Sequence, residues 1–91
     1  MKVTEARFIQ VMNDDDLGGQ GLSEKGCNAI KGLLIVQKYL PDRGIEGANH
    51  DVIYSVGIEA LVEAGITEAD VVELRHQNWM LEDDTFLACF V

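Results

Sequence analysis

The run Phe86-Leu87-Ala88-Cys89-Phe90-Val91 contains no charged or strongly polar side chain, and it constrains the fold more than any other stretch. As a strand it places Phe86, Ala88 and Phe90 on one face and Leu87, Cys89 and Val91 on the other, so both faces need cover. Helices of the same chain can cover one. A chain of 91 residues has few elements left for the second, and an apolar strand at a terminus invites pairing. The expectation is a homodimer with Phe86, Leu87, Cys89 and Val91 at a closed two-fold interface. The competing arrangement is a monomer in which Leu22 and the first helix fold over the outer face.

The remaining elements follow from caps and breakers. Thr4 can cap a helix running to about Met12, with Phe8, Val11 and Met12 on one side. Ser23 opens a second helix, with Leu22 able to staple onto Cys27 and Pro41 as the stop. Its apolar positions Ile30, Leu33, Leu34, Ile35, Val36 and Leu40 cover most of the circumference, which predicts a central buried helix. The loop DRGIEGANH leads to a strand in DVIYSV. IEALVEAG reads as two helical turns closed by Gly65, and Thr67 caps TEADVVELRHQN with Asp70 at the capping-box position. WMLEDDTFLACFV reads as a hairpin. The predicted fold class is α+β: a small antiparallel sheet, made of the C-terminal hairpin plus one further strand, packed against about four helices in a single domain over residues 1–91.

Composition narrows the class of function. The chain is 47% apolar and 25% charged, with one proline, which is globular rather than disordered. No apolar run is long enough to span a membrane, and the start, MKVTEARFIQ, has no signal-peptide core, so the reading is cytoplasmic. Cys27 and Cys89 have no second cysteine or histidine at ligand spacing, which makes buried free thiols the default. No cofactor is implied.

Charge carries more information. The formal net charge is −9. Residues 1–44 balance Glu5, Asp14, Asp15, Asp16, Glu24 and Asp42 against Lys2, Arg7, Lys25, Lys31, Lys38 and Arg43. Residues 45–91 hold Glu46, Asp51, Glu59, Glu63, Glu68, Asp70, Glu73, Glu82, Asp83 and Asp84, with Arg75 alone against them. The whole excess lies in the second half of the sequence.

Asn13-Asp14-Asp15-Asp16-Leu17-Gly18-Gly19-Gln20-Gly21 is the stretch that looks most like chemistry. Its acids are consecutive, whereas a calcium loop needs alternate ligands and a distal Glu. The following GLSEKGC has lysine and glycine reversed relative to a phosphate loop. Gly18-Gly19-Gln20 resembles the catalytic tripeptide of peptide release factors, but those enter ribosomal RNA, and a charge of −9 opposes that. The stretch reads as a turn with solvated aspartates and no metal site. His50 beside Asp51, or His76 beside Arg75, could serve an acid/base pair with Ser55 or Cys27, yet no orienting group or oxyanion donor is indicated. Trp79 and Tyr54 fit core or interface packing better than base stacking. The expectation is a protein that is not an enzyme.

What remains is the acidic surface. Glu59 and Glu63 are one turn apart on one helix, Asp70 and Glu73 on the next, and Glu82, Asp83 and Asp84 crowd the hairpin turn. Spacings of about 5–6 Å between such carboxylates approach those of successive phosphates. These seven residues are the candidate partner-binding set. In size, charge and lack of a catalytic motif the chain resembles small acidic phage-encoded inhibitors of host defence, of the anti-CRISPR and anti-restriction kinds. That resemblance implies a stoichiometric inhibitor of a basic nucleic-acid-handling protein or ribonucleoprotein complex, contacted through the C-terminal acids, with no direct nucleic-acid or membrane contact. The alternatives are a self-associating accessory protein and, less favoured, a small hydrolase using His50 or Gln20.

Overall fold

The computed structural model describes residues 3–18 and 27–90. The chain forms helices α1 (Glu5–Met12) and α2 (Cys27–Tyr39), strands β1 (Gly47–Asn49) and β2 (Val52–Gly57), helices α3 (Ile58–Ala64) and α4 (Glu68–His76), and strands β3 (Met80–Glu82) and β4 (Phe86–Phe90). A 3-10 turn at Asp15–Leu17 follows α1. This is an α+β fold in which helices pack on one antiparallel sheet, as the caps and hairpin signals predict.

The helix ends show why. Thr4 accepts the Arg7 N–H at 3.1 Å and starts α1, whose Phe8, Val11 and Met12 are buried. Gly65 ends α3 in the left-handed region, at φ 93°. Thr67 caps α4 by accepting the Asp70 N–H at 3.3 Å. The anticipated capping box, however, is completed by a different residue. The Tyr39 hydroxyl accepts the Thr67 N–H at 3.3 Å and donates to the Asp70 carboxylate, which Lys38 Nζ also reaches at 2.8 Å. The end of α2 is thereby tied to the start of α4. The proposed Ser23 cap and Leu22 staple lie outside the described residues.

The sheet order is β1-β2-β4-β3, every pair antiparallel. β4 is therefore an interior strand: Cys89 pairs with Ile53 on one side, and Leu87 pairs with Leu81 on the other. Of the expected dimer interface this bears on Leu87 and Cys89 alone. Leu87 and Cys89 are fully buried in the chain's own core, and both edges of β4 are already hydrogen-bonded, so neither side chain is presented at the surface of the single chain. Phe86 and Phe90, on the opposite face, are 49% and 58% exposed. Val91 lies outside the described residues. β1 is a further strand, in a stretch whose sequence reads as a loop.

Trp79 sits at the centre of the core with no exposed surface. Its indole N–H donates to the Asn28 carbonyl at 3.0 Å, and Asn28 Nδ2 donates to the Gln77 carbonyl at 3.0 Å. The close approach of the indole to α2 requires Gly32, where a Cβ would stand 1.9 Å from Trp79 Nε1. α2 itself is not the central buried helix expected from its composition. Ala29, Gly32 and Val36 face inward, while Ile30 and Leu34 are each 60% exposed. Among the described residues no helix is long and apolar enough to cross a membrane.

Candidate acidic interaction site

The fold divides the acids into two groups that their sequence positions do not separate. Three second-half carboxylates are neutralised by first-half bases. Glu68 is held in a two-pronged pair by Arg7, at 2.7 and 3.2 Å; Glu46 is held likewise by Arg43, at 3.0 and 2.6 Å; and Asp70 is held by Lys38. The hydrogen bonds from Arg7 and Arg43 keep the Glu68 and Glu46 carboxyls below the usual carboxylate range. Burial pushes the Asp70 carboxyl up, but the bonds from Lys38 and Tyr39 and the Lys38 charge together outweigh it, so it too lies low. Glu73 accepts from Gln77 Nε2 at 2.9 Å and lies 3.4 Å from His76 Nδ1. The Asp70 carboxylate thus ties α2 to α4, being only 20% exposed and already bonded. Replacing it with lysine would disturb the fold.

The second group gathers around the β3–β4 turn. The Ile58 N–H donates to the Thr85 carbonyl at 2.8 Å, which brings the start of α3 against the turn. Glu59, Glu82, Asp83 and Asp84 are all exposed there, joined by Glu5 from the start of α1. None of these five, nor Glu63, lies within ion-pairing distance of a base among the described residues. Asp84 accepts a bond from Asn13 Nδ2 at 3.3 Å.

The turn is set up for exposure at a conformational cost. Asp83 and Asp84 have φ of 53° and 52°, and the Thr85 N–H closes the turn on the Glu82 carbonyl at 3.0 Å. Two successive positive φ values define the mirror-image turn that Asn-Gly normally fills. Here two like-charged, non-glycine residues occupy it.

A hollow lies on each side of this turn. One, of about 220 Å³, is lined by Glu5, Ile58, Glu59, Asp84 and Thr85. The other, of about 400 Å³, opens on the face of the sheet that carries the exposed Phe86, between Tyr54, Phe86, Glu82, Asp83 and the Arg43–Glu46 pair. Both aromatic rings lie along glycines of the neighbouring strand: Phe86 carbons are 3.8 Å from where a Gly57 Cβ would stand, and a Tyr54 carbon 3.9 Å from that of Gly47. The far wall is fixed because Ser55 Oγ donates to the Gly44 carbonyl at 2.6 Å and the Glu46 N–H to the Tyr54 carbonyl at 2.8 Å.

Several of the other candidate residues make contacts within the fold. In the aspartate run, Asp14 caps the 3-10 turn by accepting the Asp16 N–H at 3.0 Å. Arg75, 7% exposed, reaches the Asp14 carbonyl at 3.3 Å and the Trp79 carbonyl at 3.1 Å, with Asp15 at 3.7 Å. Its guanidinium packs on Gly18, where a Cβ would come within 2.7 Å. Gly19 and Gln20 lie outside the described residues. His50, with φ 54°, sits exposed in the β1–β2 turn, while Ser55 is buried and bonded to Gly44. Burial pushes the Cys89 thiol up, and Asn28 Nδ2 contacts its sulfur at 3.3 Å. The Cys27 side chain lies outside the described part. Among the described residues no three His, Cys, Asp or Glu side chains converge as a metal-ligand set.

Compared with protein-family models, curated proteins and solved structures, the chain matches none. The site therefore rests on its own geometry. The acids at the hairpin are visible in sequence, but Glu5 and the Tyr54–Phe86 hollow are not, since nothing local signals that α1, α3 and the loop after α2 meet at that turn.

Proposed function

We propose that this is a non-catalytic acidic interaction protein that engages a basic surface of a nucleic-acid-handling protein or ribonucleoprotein complex, as an inhibitor of the phage anti-defence type would. The observation that carries the reading is the contrast between the two groups of acids. Those on α4 are neutralised or bonded from within, whereas Glu5, Glu59, Glu82, Asp83 and Asp84 collect at one end with no described base in reach. Uncompensated like charge raises the potential there and favours encounter with a cationic partner. The partner-binding set is accordingly narrowed from α4 to the hairpin end, with Glu63 at its margin on α3.

The test is a charge-reversal comparison. The tagged protein is used to capture partners from a host extract, and the captured complex is washed at rising salt. Lysine at Glu59, Glu82, Asp83 and Asp84 is expected to abolish capture, while lysine at Glu73 leaves it intact; retention should fall steeply with salt. Undiminished capture by the hairpin-end variant would overturn the reading.

A second reading, a self-associating accessory protein, is favoured by the exposure of Phe86 and Phe90. Light scattering in moderate salt separates the two: this reading requires a mass above one chain at high micromolar concentration.

A further inference from the structure

We infer that the hollow between Tyr54, Phe86, Glu82 and Asp83 receives an arginine side chain of the basic partner, an inference that rests on the acidic end being the partner-binding surface. Its volume, about 400 Å³, falls in the range of small-ligand sites and is ample for one long side chain. The lining has two chemistries placed side by side. Tyr54 and Phe86 offer aromatic carbon, and Phe86 is 49% exposed. Glu82 and Asp83 offer carboxylates with no base in reach among the described residues, because Arg43, the one cation in the lining, is occupied by Glu46 through two hydrogen bonds. The lining keeps a net charge of about −2 once that pair cancels.

An apolar or anionic group fits this hollow poorly, since either would sit against unneutralised carboxylates. A second copy of the chain fits no better, because its own Glu82 and Asp83 would approach those of the first. A cation with a planar, weakly hydrated head and an apolar stem suits both linings. Guanidinium stacks on aromatic rings and forks onto carboxylates, whereas ammonium keeps its hydration and offers no plane. The hollow is preorganised by the Ser55–Gly44 bond and by the rings lying on Gly57 and Gly47, so little ordering is needed on binding.

The experiment is a titration of the isotope-labelled protein, followed by amide chemical shifts at low salt, with a blocked Gly-Arg-Gly peptide and its lysine and citrulline counterparts. The arginine peptide is expected to shift Tyr54, Gly57, Asp83 and Phe86 in a saturable way, with the lysine peptide weaker by about threefold or more and the neutral citrulline peptide inert. Phe86→Ala and the Glu82→Gln/Asp83→Asn pair should each weaken arginine binding by about fivefold, in proteins whose spectra remain those of the native fold. Equal binding of arginine and lysine, with shifts centred on Glu59 and Glu63, would overturn the arginine hollow while leaving the acidic-surface reading in place. No response even to a long polyarginine would overturn both. Shifts at Phe86 that grow with protein concentration alone would assign the hollow to self-association and overturn the inference.

Discussion

Gly32 shows how little room a single position can leave. A Cβ there would meet Trp79 Nε1 at 1.9 Å and Cε2 at 2.3 Å, and the indole cannot retreat because its N–H is bonded to Asn28 on the same helix. Gly32→Ala, ordinarily favourable inside a helix, is expected to destabilise by about 3 kcal/mol through overpacking, read as a lower urea midpoint. The loss should shrink in a Trp79→Phe background, since the two sites share one contact. Trp79 reads as a packing residue in the sequence, but Gly32 carries no such signal, because a glycine's value here lies in a partner some fifty positions away. Arg75 reads in the sequence only as the one base of the acidic half. Its guanidinium instead closes the Asp14–Gly18 turn against α4.

Two elements carry predictions of opposite sign. In the β3–β4 turn, Asp84→Gly removes a non-glycine residue from a positive-φ position and one of two adjacent like charges. It is expected to stabilise by about 1 kcal/mol, raising Tm by about 4–8 °C, while weakening capture of a cationic partner. At the start of α4, the Asp70 carboxyl has a lower pKa folded than unfolded. Its contribution is complete above the unfolded value of about 4 and is lost as pH falls through the folded one. Lys38, raised chiefly by its bond to Asp70, is the other partner of the same pair: on its side the contribution is lost only in strong alkali, and at low pH it goes with the protonation of Asp70. Urea midpoints measured from about pH 7 to about pH 3 should therefore fall less in Asp70→Asn than in the parent. The four helices and the hairpin were legible because caps and breakers act within a few residues: Thr4, Gly65, Thr67 and Pro41 each mark a boundary near where the structure has one. β1 was not, because Gly47-Ala48-Asn49 is exposed throughout and exists only through backbone pairing with β2. The exposed side of α2 was hidden for the opposite reason: with apolar residues nearly all round, periodicity cannot say that Ile30 and Leu34 face out.

At the scale of the whole molecule, charge that is segregated along the sequence is interleaved in space. Arg7, Lys38 and Arg43 cross over to neutralise Glu68, Asp70 and Glu46, so the acidic half contracts to an acidic end. The carboxylates of the hairpin could be read from sequence, whereas which acids would be cancelled could not, since that depends on contacts spanning up to 61 positions. Screening follows from this arrangement. Salt should weaken partner binding far more than it alters stability, because the exposed pairs are individually worth little, and melting curves at low and high salt should differ by only a few degrees. The burial of Arg75 has a further consequence, for proteolysis. It is the only lysine or arginine after Arg43 in this sequence, so trypsin has a single cleavage point within residues 44–91. That point lies inside α4, with its side chain 7% exposed and bonded on several sides. Cuts beside the exposed Lys38 and the half-buried Arg43 can occur on the native molecule, but cleavage between Arg75 and His76 has to await opening of the end of α4, and in a Lys38→Gln/Arg43→Gln background its rate reports that opening without denaturant.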